Sequence, residues 1–201
     1  KVSDYTLVEL KQFRLLSGMR RPTNQQIPTL EEAMLLVKGK IMVNLDKCYN
    51  YALPAYKILQ QTGTVQQAVF KGEHPIEKVQ QDLGSILDSI FFMPVVNLDK
   101  ADAEKTVADY LKNPEKIVAF EFIFAKEQSP ILNQLQVIKT KGVRVWVNTL
   151  WDNLCAGHTD DRAIEDLPGS YDWIIQKGFN MIQTDRPAYL LKYLQSKDLH
   201  K

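Results

Sequence analysis

Ionisable residues stand within or at the end of several apolar, β-rich runs of this sequence. Asp46 ends one such run, Lys71 ends the next, and Glu121 lies inside another that is rich in phenylalanine. Parallel α/β sheets and barrels bind their ligands at the carboxyl ends of their strands, so residues at these positions are the first to consider for chemistry. We therefore expect these side chains to hold a ligand or to form ion pairs.

Glu121 presents the sharpest energetic problem of the three. Side chains alternate with period two along a strand, so Glu121 faces away from its neighbours Phe120 and Phe122. An ionised carboxylate in so apolar a strand costs on the order of several kcal/mol unless it meets a cation or is protonated. We expect Glu121 either to hold a ligand or to pair with Lys71 or Arg144 without a catalytic role.

Asp46 and Lys71 each have a plainer interpretation as well. Asp46 could cap a helix or contact a loop, and Lys71 could be a solvated loop residue. The sequence V-N-L-D-K occurs at Val43–Lys47 and again at Val96–Lys100, which places Asp99 at the end of the third run. There we favour capping of the following helix, because the sequence after Asp99 is strongly helical.

Residues 151–167 form a long connection between a predicted strand and a predicted helix. Loops longer than about 12 to 15 residues in a compact domain are usually functional or disordered. This one holds His158, Asp160 and Asp161, which could ligate a metal ion, although such clusters are more often turn residues and solvated charges. Trp151, at its start, is predicted to form a wall of the substrate pocket.

Short β-rich runs alternate with helical patterns from residue 40 onward, which predicts a parallel sheet built from βα units. Before them, Thr29 and Glu32 form a capping box at the start of a helix, preceded by a polar loop at about 20–26. The predicted strands are 41–46, 67–71, 91–97, 118–125, 143–150 and 180–184. The helices that follow them are predicted at about 49–62, 75–89, 100–113, 129–141, 169–177 and 187–197.

The composition suits one globular domain over residues 1–201, with 45% hydrophobic and 24% charged residues. A net charge of +1 does not indicate nucleic acid or a membrane surface as partner, and no apolar run approaches the ~18 residues of a membrane span. The spacing of Cys48 and Cys155 excludes a disulfide scaffold and a zinc finger, leaving at most a single bridge. His74 and His200 are interpreted as structural or solvated.

Four segments, taken in order, resemble the glycerophosphodiester phosphodiesterase family. They are I-P-T-L-E-E-A-M from Ile27, K-I-M-V-N-L-D ending at Asp46, V-W-V-N ending at Asn148, and N-M-I-Q-T-D-R-P from Asn180. Each is weak alone, but together they are fairly specific. The resemblance implies a TIM-type (β/α)8 barrel that uses a divalent metal to hydrolyse a small-molecule phosphodiester to an alcohol and glycerol phosphate.

The resemblance also implies roles for individual residues. Asp46 matches a strand-end glutamate that binds the metal, and aspartate keeps the hard oxygen ligand that Mg²⁺ or Ca²⁺ needs. Cys48 stands where the family has a lysine, so we infer that Lys71 supplies the cation for a phosphate. Together with Asn148, whose position is shifted relative to the family pattern, Lys71, Glu121 and Trp151 are predicted to bind the substrate.

Six βα units are visible where the family has eight, and we expect the missing pair to be the first two. The family's His-Arg motif, its first two metal-binding acids and its second catalytic histidine have no match in the chain, so no catalytic residue is assigned. The function predicted is metal-dependent glycerophosphodiester hydrolysis, by a chain that alone lacks the catalytic histidines. The alternative is a non-catalytic phosphate- or sugar-binding protein on the same scaffold. Family members are often exported, which implies a periplasmic or extracellular location, although no signal is visible.

Overall fold

The chain folds into two compact units. A computed structural model describes residues 1–200. One unit comprises Lys1–Val43 and Tyr51–Ala68, and the other comprises Asn44–Asn50 and the chain from Val69 onward. The interpretation of the chain as a single domain stays a prediction.

The secondary structure alternates between strands and helices after a short amino-terminal hairpin. The described strands are β1 (Arg14–Leu16), β2 (Pro22–Gln26), β3 (Val43–Leu45), β4 (Ala68–Gly72), β5 (Phe91–Asn97), β6 (Ala119–Ile123), β7 (Arg144–Asn148) and β8 (Met181–Gln183). The described α-helices are α1 (Leu7–Leu10), α2 (Leu30–Val37), α3 (Ala52–Thr62), α4 (Ile76–Leu83), α5 (Ala103–Tyr110), α6 (Leu135–Thr140), α7 (Asp160–Glu165), α8 (Trp173–Lys177) and α9 (Pro187–Ser196).

The first unit contains the predicted capping box and a hairpin that was not predicted. The Glu32 amide donates to Thr29 Oγ1 at 3.1 Å and the Thr29 amide donates to Glu32 Oε2 at 2.8 Å, which satisfies two free donors at the start of α2. The prediction of a loop at 20–26 is wrong, because β2 pairs antiparallel with β1. The Thr23 hydroxyl, which donates to the Leu15 carbonyl at 2.8 Å, adds to this pairing.

The second unit is built around a six-stranded sheet in the order β3-β4-β5-β6-β7-β8. Each pair from β4–β5 to β7–β8 is parallel. Sequential parallel strands joined by helical connections are the arrangement of a TIM-type barrel, with six strands present where a closed barrel has eight. The six predicted strands are confirmed, with ends that differ by no more than two residues. Among the described helices, none is long and apolar enough to cross a membrane.

The period-two pattern of β6 places alternate side chains on opposite faces of the sheet. Phe120, Phe122 and Phe124 are fully buried on the helix-facing side, where the first two stack at 5.2 Å and Tyr110 of α5 packs edge-on against Phe120. Glu121 therefore faces the opposite side, as predicted. This alternation fixes which residues of β6 can take part in a site.

Two connections differ from the sequence-based interpretation. Helix α5 begins at Ala103, and Asp99 lies too far from that end to cap it. Asp99 Oδ2 instead accepts a hydrogen bond from the Ala125 amide at 2.7 Å, which ties it to the segment after β6. The long connection at 151–167 is also more ordered than expected, because it contains α7.

Replacing a core phenylalanine of β6 tests this packing. We expect Phe122→Ala to lower the free energy of unfolding by about 3 to 5 kcal/mol, because it removes buried apolar surface and leaves a cavity. Urea denaturation of the purified protein measures the change. Val137→Ala, at an exposed helical position, is the control and should change stability by less than about 0.5 kcal/mol. Equal effects of the two substitutions would contradict the assigned core.

Candidate functional site

Three residues distant in sequence meet at the carboxyl ends of strands in the second unit. Lys71 Nζ lies 2.9 Å from Asp46 Oδ1 and 2.8 Å from Glu121 Oε2. Strand β5 lies between β4 and β6, and its residue Val95 is paired in register with Glu121. Because valine is short and apolar, the long side chain of Lys71 reaches across β5 to the carboxylate. We call Asp46, Lys71 and Glu121 the ion triad.

The three side chains of the ion triad differ in their exposure to solvent. The Glu121 side chain is 4% exposed and that of Lys71 is 11% exposed, whereas that of Asp46 is 57% exposed. Burial disfavours the charged form of Lys71, but its hydrogen bonds to Glu121 and Asp46 outweigh that effect and raise the pKa of the ammonium. The two carboxylates therefore favour the charged form of Lys71, with an enclosed inner partner and an outer partner at the solvent boundary.

This geometry decides between the two cations that the sequence offered to Glu121. Pairing with Lys71 is confirmed, and pairing with Arg144 is wrong. Arg144 is paired in register with Ala119, nearer the amino end of the sheet than the level of Glu121, and its side chain is exposed. The expectation that Glu121 binds a ligand stays a prediction.

The ion triad lines a cleft of about 490 Å³. Asn148 at the end of β7, Tyr49 after β3 and His74 after β4 line the same cleft. A cavity of several hundred Å³ with a few convergent polar groups is typical of small-molecule sites. The position of the cleft at the carboxyl edge of the strands agrees with the site predicted from the sequence.

Tyr49 and His74 are the part of this cleft that the sequence analysis missed. Their rings lie 4.5 Å apart, and the Tyr49 hydroxyl donates to Asp82 Oδ2 at 2.9 Å. Burial and the adjacent Asp82 carboxylate raise the pKa of the Tyr49 hydroxyl. A side chain on Gly72 would place a Cβ 2.5 Å from the Tyr49 ring, so glycine is needed there. The available signal was position, since each lies within four residues of the end of a strand.

Two predicted substrate-binding residues, one at the end of β7 and one after it, have different surroundings. Asn148 is buried, lines the cleft, and accepts a hydrogen bond from the Leu150 amide through Oδ1 at 3.0 Å. Trp151 is 62% exposed, and the described residues that line the cleft do not include it. Their roles in substrate binding stay predictions.

Asp160 proves to be a buried hydrogen-bond acceptor. Its Oδ1 accepts from the Thr149 hydroxyl at 2.6 Å and the Tyr171 hydroxyl at 2.8 Å, while Oδ2 accepts from the Asp185 amide at 2.7 Å. Thr149 follows β7 and Asp185 follows β8. Asp160 thus ties together the segments at the carboxyl ends of both strands.

The structure does not bring His158 and Asp161 to a common metal with Asp160. The two ring nitrogens of His158 lie 2.5 Å from the Gly169 carbonyl and 3.0 Å from Glu127 Oε1. Asp161 is at the surface, where it accepts from Arg186. The interpretation of this cluster as turn residues and solvated charge is therefore right only for Asp161.

The ion triad does not fit the divalent cation expected at Asp46. Mg²⁺ and Ca²⁺ require six or more oxygen ligands, whereas the Asp46 carboxylate already contacts an ammonium. Across residues 1–200, no group of three or more His, Cys, Asp or Glu side chains is placed to hold a metal ion. The assignment of Mg²⁺ or Ca²⁺ to Asp46 stays a prediction.

Asp160 and its neighbour Asp161 offer a matched test of the buried acceptor. Asp160→Asn replaces one carboxylate oxygen with an NH2 group, which cannot accept a hydrogen bond from the surrounding donors. We therefore expect a loss of about 2 kcal/mol in the free energy of unfolding. Asp161→Asn, at an exposed carboxylate, should change it by less than about 0.5 kcal/mol. Chemical denaturation compares the two variants, and equal losses would refute the role of Asp160.

Solved structures that share this fold include three glycerophosphodiester phosphodiesterases, one of them provisionally named. A provisionally named glycerophosphodiester phosphodiesterase from Galdieria sulphuraria has a TM-score of 0.68 at 14% identity, covering 97% of this chain and 72% of that one. The glycerophosphodiester phosphodiesterase from Parabacteroides distasonis has 0.63 at 14% identity, covering 96% and 72%. That from Agrobacterium tumefaciens has 0.57 at 18% identity, covering 91% and 69%. The resemblance found in the sequence is thus confirmed at the level of the fold, a TIM-type barrel.

Comparison with curated proteins finds no match. A family model described as a domain of unknown function, DUF4996, matches residues 92–194. That range is just over half of the chain and extends from β5 into α9. The chain therefore belongs to the DUF4996 family, and it carries the fold of the glycerophosphodiester phosphodiesterases.

Proposed function

We propose that the cleft binds a small glycerophosphodiester and that the protein hydrolyses it to an alcohol and glycerol phosphate. The observation that carries this proposal is a charged lysine held at the carboxyl end of β4, inside a cleft of about 490 Å³. Solved proteins of the same fold are named for this activity. Because one fold hosts many functions, the residues of the cleft must support the proposal.

Lys71 is the group proposed to bind the phosphoryl oxygens. An ammonium has three N–H donors, and Asp46 and Glu121 account for two of them, which leaves the third for a ligand. Asp46 is more than half exposed, so it can rotate away when an anion approaches. Glu121 is enclosed and keeps the ammonium in place during that exchange.

The polar groups around Lys71 suit the glycerol part of such a substrate. Hydroxyl groups donate to carboxylate oxygens and exchange hydrogen bonds with amides. Asp46, Glu121 and Asn148 all line the cleft and supply such acceptors. The cleft therefore offers a cation for the phosphodiester and acceptors for the adjacent hydroxyls.

Hydrolysis also needs proton transfer to and from the reacting oxygens. Imidazole is the side chain most often used as a general acid or base, and His74 lines the cleft. We assign His74 this role, with the Tyr49 ring packed against it to limit its orientation. This assignment replaces the earlier interpretation of His74 as a structural or solvated residue.

A second candidate is a metal-independent binding protein for a phosphate or sugar on the same scaffold. The observation that favours it is the ion triad itself, in which two carboxylates are neutralised by a side chain of the protein. Both candidates predict ligand binding in the cleft. They differ in turnover, which only the first predicts.

Removal of the cation tests ligand binding. We expect Lys71→Met to weaken binding of glycerophosphocholine at least ~10-fold, a loss of about 1.4 kcal/mol, because the phosphoryl group loses its ionic partner. Isothermal titration calorimetry of the full chain measures the affinity. Lys112→Met, which removes a 70% exposed lysine outside the cleft, should leave it unchanged.

A second variant separates loss of binding from loss of folding. Lys71→Met alone leaves Glu121 buried without a partner, which costs about 3 to 5 kcal/mol. Lys71→Met combined with Glu121→Gln removes both charges and should fold while binding equally weakly. If the wild-type protein binds no glycerophosphocholine, or the double variant binds it normally, the proposed site is wrong.

Substitution of His74 tests the hydrolytic step. We expect His74→Gln to lower the release of glycerol phosphate from glycerophosphocholine about 10²-fold or more, with little change in substrate affinity. A coupled assay for glycerol phosphate and calorimetry on the same preparation separate the two effects. Ligand binding without turnover in the wild-type protein would favour the second candidate.

A further inference from the structure

The two carboxylates of the ion triad converge on a single point. Asp46 Oδ1 and Glu121 Oε2 approach the same atom, Lys71 Nζ, at 2.9 and 2.8 Å. Carboxylates from different strands that converge in this way are a common beginning of a cation site, in which a metal ion lies between them. In this protein a side chain lies there.

We propose that Lys71 is a tethered cation that takes the place of a divalent metal between Asp46 and Glu121, so that the cleft binds its ligand without Mg²⁺ or Ca²⁺. The inference rests on the proposed function for the identity of the ligand. Its main experiment measures cation binding, so the two can fail separately.

The burial of the inner pair explains why a free metal ion does not displace the lysine. Glu121 belongs to the middle of β6 and is almost fully enclosed, so it cannot follow a cation to another position. Two charge-assisted hydrogen bonds hold the ammonium, and bonds of this kind are about twice as strong as neutral ones. A metal ion would have to expel the charged ammonium from both carboxylates at once.

The two carboxylates also suit an ammonium better than a metal ion. An ammonium directs three hydrogen bonds and is satisfied by two carboxylates and one ligand oxygen. A divalent ion needs several more oxygen ligands, and because no third carboxylate or imidazole joins the group in the described part of the chain, water would have to complete its coordination shell. The raised pKa of Lys71 agrees with this assignment, because the cation is retained at any physiological pH.

Removal of the tether should convert the ion triad into a metal site. Lys71→Met deletes the ammonium and leaves both carboxylates facing one space, so we expect this variant to gain saturable binding of one Mn²⁺, detected by electron paramagnetic resonance of free Mn²⁺. Added Mn²⁺ or Ca²⁺ should also raise its melting temperature. The wild-type protein and Lys112→Met should show neither effect.

The double variant Lys71→Met with Glu121→Gln is the matched control, since it lacks both the tether and the inner carboxylate. It should not gain Mn²⁺ binding. If Lys71→Met folds only when Mn²⁺ is added, while the double variant folds without it, the proposal is equally supported. If Lys71→Met gains no Mn²⁺ binding in any form, the proposal is overturned.

Ligand binding by the wild-type protein provides the opposite test. Its affinity for glycerophosphocholine should be the same in EDTA as in millimolar Mg²⁺ or Ca²⁺. A loss of tenfold or more in EDTA, or saturable Mn²⁺ binding that Asp46→Asn abolishes, would overturn the tethered cation and restore the metal site predicted at Asp46. Failure of glycerophosphocholine to bind under both conditions would instead refute the proposed function and leave the Mn²⁺ result standing.

Discussion

A buried carboxylate inside a parallel sheet constrains much of the second unit. Glu121 interrupts the apolar strand β6, and its charge is tolerated because Lys71 reaches it from β4, across β5. That contact depends on the stagger of three neighbouring strands and on a small residue, Val95, between the two charges. The same contact places a cation at the edge of the sheet where ligands bind. Stability and the chemistry of the cleft therefore depend on one ion pair.

The fold supplies the location of the site but not its chemistry. The similarity to solved glycerophosphodiester phosphodiesterases is at 14 to 18% identity, a level that carries the architecture alone. Within that architecture the chain places Lys71, from β4, between the carboxylates of Asp46 and Glu121. The cleft thus combines a position at the carboxyl edge of the strands with a cation supplied by the protein itself.

The elements of the sheet were predictable because their patterns are local. Alternation along β6 and the capping box of α2 report on residues within a few positions of one another. The errors arose where a longer-range contact decided the outcome. Asp99 was assigned to its following helix, yet it bonds the Ala125 amide, and Asp160 was assigned to solvent or metal, yet three donors enclose it.

The sequence by itself determined the positions of the six strands along the chain, the parallel class of the sheet and the fact that Glu121 needs a cation or a ligand. The tertiary structure decided that the cation is Lys71 and not Arg144, and that Tyr49 and His74 join the same cleft. The physical reason is that a period of two records which face a side chain occupies. The partner that a side chain meets depends on the register between strands, which no single run of residues encodes.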